Sequence, residues 1–114
     1  MNNITTKPWG SYQEIYESID TKVKIIKVTP QEAPSYQYHF KRSENWIIIK
    51  GSGILKLDGE EIFIKKGDSI FIKKEAKHQV KNTGEEDLVF VEVQLGEYFG
   101  EDDIIRIEDN YGRI

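Results

Sequence analysis

Between positions 37 and 46 the chain reads Gln37-Tyr38-His39-Phe40-Lys41-Arg42-Ser43-Glu44-Asn45-Trp46, and a second histidine stands at His78. Gln37, His39, Glu44 and His78 together offer an amide oxygen, two imidazole nitrogens and a carboxylate, a mixed donor set that suits a divalent first-row metal. These donor types do not select among zinc, manganese, nickel and cobalt; zinc is the working expectation. Taken singly, His39 reads as an ordinary strand histidine and Glu44 as a surface carboxylate. What favours a site is that the chain has only two histidines and both fall on strand faces. The absence of cysteine excludes thiolate metal sites and disulfides.

Strands must position these groups. Over residues 35–40 a period of two places Gln37 and His39 on one face and Tyr36, Tyr38 and Phe40 on the other. After a turn at 41–43, residues 44–50 read as a strand buried on both faces, ended by Gly51-Ser52-Gly53. Asp58-Gly59 joins the runs 54–57 and 60–65 as a two-residue hairpin. A short strand is expected at 69–72 and another at 78–81, the latter with His78 and Val80 on one face; the last long strand is 88–95. Upstream, Pro8-Trp9-Gly10 fixes an extended entry and a turn. Residues 12–16 and 23–28 form a hairpin, with Val23, Ile25 or Ile26, and Val28 as its apolar positions and lysines between them. No helical period occurs before residue 97, so the fold expected is all-β, a closed barrel or sandwich.

Other residues have two readings. Glu92 and Gln94 share a face of the final strand; facing inward, Glu92 is a candidate base, and facing outward it is solvated. Lys50 and Lys56 are candidate phosphate contacts or plain solvated lysines. Lys65, Lys66, Lys73, Lys74, Lys77 and Lys81 read as edge-protecting charges. Trp9 and Trp46 read as core or cavity wall.

A chain of 114 residues suits one core, so a single domain over 1–114 is expected. Net charge is −4 with the 16 basic residues spread along the chain, which argues against nucleic acid as a partner. No stretch has the basic-then-apolar order of a signal peptide or the roughly 20 apolar residues of a membrane span, so no membrane partner and a cytoplasmic location are expected. Residues 96–112 are acidic yet interleaved with aromatics and isoleucines, the composition of an ordered cap.

The spacing Gln37-x-His39-x4-Glu44-x6-Gly51, followed by Gly67, His78 and Asn82, resembles the two cupin motifs, with glutamine where the first histidine usually stands. Pro8-Trp9-Gly10-Ser11-Tyr12, Arg42-Ser43-Glu44-Asn45-Trp46, Gly67-Asp68-Ser69-Ile70 and the segment from Gly96-Glu97-Tyr98-Phe99-Gly100 to Glu101-Asp102-Asp103-Ile104 further resemble the mannose-6-phosphate isomerase type II family, over residues 7–113. That family's cupin also forms the C-terminal domain of bifunctional mannose-1-phosphate guanylyltransferases. The resemblance implies a double-stranded β-helix, or jelly-roll barrel, in which Gln37, His39, Glu44 and His78 hold the metal. It implies that Arg42 binds phosphate or polarises sugar oxygens, that the small-molecule partner is a sugar phosphate, and that the chain pairs as a homodimer. The activity implied is interconversion of mannose 6-phosphate and fructose 6-phosphate; the alternative is a non-catalytic cupin that binds a sugar, a sugar phosphate or a nucleotide sugar.

The chain departs from the family pattern at several places. Asn45 replaces a histidine before the tryptophan, Lys7 replaces an arginine, Gln31 stands at the first motif's glycine, and Lys73 and Glu75 fill the proline and glycine places of the second. On a strand, Asn45 should face away from Glu44, sparing the metal ligands.

Overall fold

The computed structural model describes residues 3–113. They form two antiparallel sheets, built from strands of three to nine residues joined by short turns. The strands are β1 (Ile4–Lys7), β2 (Gly10–Glu17), β3 (Thr21–Val28), β4 (Tyr36–Tyr38), β5 (Arg42–Lys50), β6 (Ser52–Leu57), β7 (Glu60–Lys65), β8 (Ser69–Ile72), β9 (His78–Asn82), β10 (Leu88–Gly96) and β11 (Ile105–Glu108). One sheet has the order β1-β2-β3-β10-β5-β8 and the other β11-β4-β9-β6-β7. A 3-10 turn, Glu101–Asp103, carries the chain from β10 toward β11.

The core fills the space between the sheets. Val28, Trp46, Ile48, Leu55, Ile64, Val80, Leu88 and Phe90 are all buried in it, each of the larger ones contributing about 1.5–3 kcal/mol. Trp46 stacks on Phe90 with ring centroids 4.3 Å apart. Asp58 and Gly59 both have positive φ, 48° and 87°, as the twist of a tight β6–β7 hairpin demands. Gly10 ends the Pro8-Trp9 turn with a φ of 150°, and a Cβ there would run into the Lys27 carbonyl. Thr29 N–H, 3.0 Å from the Trp9 carbonyl oxygen, ties that entry to the end of β3.

Several expectations are corrected. β5 is not buried on both faces: Ile47 and Ile49 point outward and are 43% and 42% exposed, because only Arg42, Glu44, Trp46 and Ile48 alternate inward. In β3 the inward set is Lys24, Ile26 and Val28, so a lysine takes a buried place while Val23 lies on the other face. The strand expected over 35–40 is confined to Tyr36–Tyr38, and Ile4–Lys7 adds an edge strand that its polar composition concealed. The acidic C-terminal segment is ordered, β11 pairing with β4. Among the described residues no helix is long and apolar enough to cross a membrane.

Candidate metal centre

Three ligand candidates converge between the sheets. His39 lies just after β4, Glu44 points inward from β5 and His78 opens β9; all three are buried. One donor atom from each falls within 4.8 Å of the others. His39 Nε2 is 3.3 Å from Glu44 Oε2, and His78 Nε2 is 3.9 Å from Glu44 Oε1. Tetrahedral ligands at about 2.1 Å from an ion stand about 3.4 Å apart, so this donor spacing suits a small divalent metal.

Each imidazole is held from behind. His78 Nδ1 lies 3.0 Å from the Ala76 carbonyl oxygen and His39 Nδ1 lies 3.3 Å from that of Asp103. With Nδ1 donating to those carbonyls, both Nε2 lone pairs face inward, the tautomer a metal requires. Trp46 Nε1 donates to Glu44 Oε1 at 3.0 Å, and Arg42 Nε donates to Glu44 Oε2 at 3.2 Å. Burial alone would raise the Glu44 pKa, but the His39, His78 and Arg42 side chains packed around the carboxyl outweigh it, leaving it well below its ordinary range. Burial lowers the His78 pKa, with Glu44 opposing part of that effect. His78 is thereby kept neutral, the form that ligates.

Gln37 lines the same cavity and is the cross-strand partner of His78. Glu92 faces inward and is buried, which settles the choice between its two sequence readings on the side of the interior. Gln94 Nε2 donates to Glu92 Oε2 at 2.6 Å. Burial first, then the negative charge of Glu44, pushes the Glu92 pKa up to about 8. Asn45 is on the opposite face of β5 from Glu44 and does not line the cavity.

The sequence reading missed two contributors. Asp103 accepts the Phe40 and Lys41 N–H groups at 3.2 and 2.9 Å, so the C-terminal turn clamps the loop that carries His39. The acidic tail already stood out in the sequence, and this clamp is a reason for one of its carboxylates. Lys24 also lines the cavity, beside Glu92 across the β3–β10 pair, on the face of β3 that the choice between Ile25 and Ile26 left open. Lys50 and Lys56 do not line the cavity, and Lys56 Nζ rests over the Tyr36 ring at 4.5 Å. Trp9 and Trp46 serve as both core and cavity wall.

The cavity encloses about 690 Å³ of atom-free space, its open mouth included. Its lining carries five cations, Lys7, Lys24, Arg42, Arg106 and Arg113, against three carboxyl side chains, in a protein whose net charge is −4. A cavity opposite in sign to the molecule around it favours an anionic ligand.

Comparison with known proteins agrees with this architecture. A family model described as "Mannose-6-phosphate isomerase C-terminal" matches residues 1–109. The chain is 40% identical over 107 residues to a mannose-1-phosphate guanylyltransferase of Salmonella montevideo, and 39% identical over 107 residues to the xanthan biosynthesis protein XanB of Xanthomonas campestris. Each match covers 94% of this chain and 23% of the relative, so the chain spans about a quarter of the length of these curated relatives. Among solved structures, the capsular polysaccharide assembling protein CapF of Staphylococcus aureus superposes with a TM-score of 0.84 at 18% identity, covering 95% of this chain and 33% of that one. That likeness concerns the double-stranded β-helix alone. The family match over nearly the whole chain, with the barrel and the inward-facing His-Glu-His cluster, means that this chain is a cupin belonging to the mannose-6-phosphate isomerase C-terminal family.

Proposed function

We propose that this chain is a metal-dependent sugar-phosphate isomerase that interconverts mannose 6-phosphate and fructose 6-phosphate. The observation that carries the reading is Glu92, a buried carboxyl group with a raised pKa, set next to the His39–Glu44–His78 cluster in a cationic cavity. The donors suited to hold the ion are His39, Glu44 and His78, with Gln37 beside them. A divalent ion bound there supplies Lewis-acid stabilisation of negative charge developing on sugar oxygens.

The chain's own groups account for the proton movement. Glu92, as carboxylate, takes the proton from C2 of the open-chain aldose. The electron pair left behind forms the C1–C2 double bond while O1 takes the negative charge. Transfer of the hydroxyl proton from O2 to O1 and return of the first proton to C1 leave a ketone at C2. A carboxyl pKa near the working pH favours both halves of this exchange. Arg42, beside the cluster, is suited to polarise the sugar oxygens at the reacting end.

A second reading, a non-catalytic cupin that binds a sugar phosphate, is favoured by one contact. Arg42 Nη2 lies 3.3 Å from His39 Nε2 while Arg42 Nε holds Glu44, so the protein's own donors already satisfy part of the cluster. The two readings separate in one assay. Purified protein is stripped with chelator and supplied in turn with zinc, manganese, cobalt or nickel, and fructose 6-phosphate formation from mannose 6-phosphate is followed. Metal-restored turnover is the expected result. Folded, metal-loaded protein without turnover rejects the isomerase in favour of the binding cupin, and folded protein that takes up none of the ions rejects the metal centre.

A further inference from the structure

We propose that Lys24 and Arg106 form an anion subsite at the end of the cavity remote from the His39–Glu44–His78 cluster, and that it takes a phosphate monoester carried at the far end of the ligand from its reacting carbon. The naming of the ligand as a sugar phosphate rests on the function proposed above; the subsite itself rests on strand register and on unpaired charge.

The register sets two parallel rows of side chains. In one sheet, Lys24 on β3 pairs with Glu92 on β10, and Glu92 pairs with Trp46 on β5, the strand that carries Glu44. In the other sheet, Arg106 on β11 pairs with Gln37 on β4, and Gln37 pairs with His78 on β9. Each row therefore runs from the strand of a metal-ligand candidate through one intermediate residue to a cation, and all of these residues line one cavity. Two interstrand spacings place β3 about 10 Å from β5, which carries Glu44, and β11 about 10 Å from β9, which carries His78; Gln37 and the His39 loop lie one spacing from β11. Glu101, in the segment that leads from β10 to β11, reaches Lys24 on β3 at 3.8 Å, so the chain entering β11 passes beside Lys24.

The pairing of the cations distinguishes this end from the other. Arg42 is engaged by Glu44 and His39 through Nε and Nη2, which ties it to the reacting end, although its buried Nη1 has no hydrogen-bond partner. Arg113 is held by two hydrogen bonds of 2.8 Å to the Asp109 carboxylate, and Lys7 lies over the Tyr12 ring at 6.0 Å. Lys24, by contrast, is 4% exposed, with the half-exposed Glu101 carboxylate at 3.8 Å, the Tyr12 ring at 4.2 Å and Glu92 beside it across the β3–β10 pair. Arg106 Nε is buried with no hydrogen-bond partner. A buried cationic donor without an acceptor is costly unless something supplies one. A phosphate bridging Lys24 and Arg106 supplies acceptor oxygens to both, taking over from Glu101. A six-carbon chain with its phosphate at C6 is long enough for the two roles to fall at opposite ends of one ligand.

The test uses the full chain, with mannose 6-phosphate and inorganic phosphate titrated by calorimetry or NMR shifts into wild type, Lys24→Met, Arg106→Gln and Arg106→Lys. Arg106→Gln, on a half-buried edge strand, carries the test should the buried Lys24 variant fail to fold. Lys24→Met and Arg106→Gln are expected to weaken binding of both probes about tenfold or more, as loss of a charge-assisted bond does. Arg106→Lys should recover part of that loss, and zinc uptake should be unchanged throughout. Unchanged affinity for both probes in Arg106→Gln, or a wild type that binds neither probe, overturns the subsite. If the probes behave as expected in a protein that does not isomerise, the isomerase reading falls and the subsite stands. If wild type isomerises and Arg106→Gln keeps its KM for mannose 6-phosphate, the subsite falls and the isomerase stands.

Discussion

Trp46 Nε1 donates to Glu44 Oε1 at 3.0 Å, so the indole that forms the cavity wall also orients the carboxylate that the wall encloses. Trp46→Phe keeps the stack on Phe90 and removes only the donor. Zinc affinity is expected to fall about 10–100-fold, the usual effect of losing a hydrogen bond that supports a ligand. His78→Ala, which removes a ligand, should lose more than that. Equilibrium dialysis of both variants beside wild type checks the order; an unchanged affinity in Trp46→Phe would show that the indole does not support a metal ligand.

Glu92→Gln preserves shape and can still pair with Gln94, but it cannot accept the sugar's proton. Turnover is expected to fall about 10²–10⁴-fold, the range for loss of a general base. Zinc content and mannose 6-phosphate affinity should be retained. Steady-state kinetics beside metal analysis decide the point, and a fall in KM-corrected rate of less than threefold would rule out Glu92 as the base, since about 10²-fold is the least such a loss costs.

Asn82 belongs to the second cupin motif, yet its part is structural. Its Nδ2 donates to the Val28 and Glu86 carbonyl oxygens, each at 2.8 Å, and its Oδ1 accepts from Gly84 N–H at 2.9 Å. Asn82→Ala leaves these buried groups unpaired and is expected to cost about 2–4 kcal/mol. Urea denaturation would measure the loss, and the variant that remains folded should take up zinc normally.

Glu75 has a φ of 67° at the place where the family pattern has glycine. A left-handed conformation costs a side-chain-bearing residue about 1–2 kcal/mol, and glycine loses about 0.5–1 kcal/mol through its freer unfolded chain. Glu75→Gly is therefore expected to raise stability by about 0.5–1 kcal/mol. A lower denaturation midpoint would show that Glu75 makes contacts that compensate for its backbone.

Arg113 holds the Asp109 carboxyl at about 2, below its ordinary 3.8, chiefly by side-chain hydrogen bonds. The unfolded chain takes up this proton first as pH falls. The clamp's contribution is thus full above pH about 4 and disappears as pH drops through about 2. Thermal unfolding of wild type and Asp109→Asn should show wild type losing its advantage across that window. Parallel curves for the two proteins would mean that the clamp adds nothing to folding.

The ligand cluster was legible in the sequence because its spacing resembles the cupin motifs, and His39, Glu44 and His78 all line the interior; Glu92, whose face the sequence left open, joins them there. The turns were legible through Asp58-Gly59 and Gly67, whose backbones take positive φ. Alternation failed where it was ambiguous. The run Lys24-Ile25-Ile26-Lys27 allows either isoleucine to face inward, and choosing the other face would have revealed Lys24 as a buried residue. Ile47-Ile48-Ile49 looks buried on both sides because exposed isoleucine and buried isoleucine read alike in a sequence. Asp103 reaches the His39 loop across more than 60 residues of chain, and no local pattern carries such a contact.

The clamp by Asp103 has a consequence for how the protein is made. Asp103, the residue that fixes the His39 loop, is translated more than 60 positions after His39 itself. A nascent chain can assemble most of both sheets while this loop is still unanchored. The loop that carries His39 is therefore fixed only once Asp103 has been made, and the candidate metal centre is completed later than the strands that enclose it.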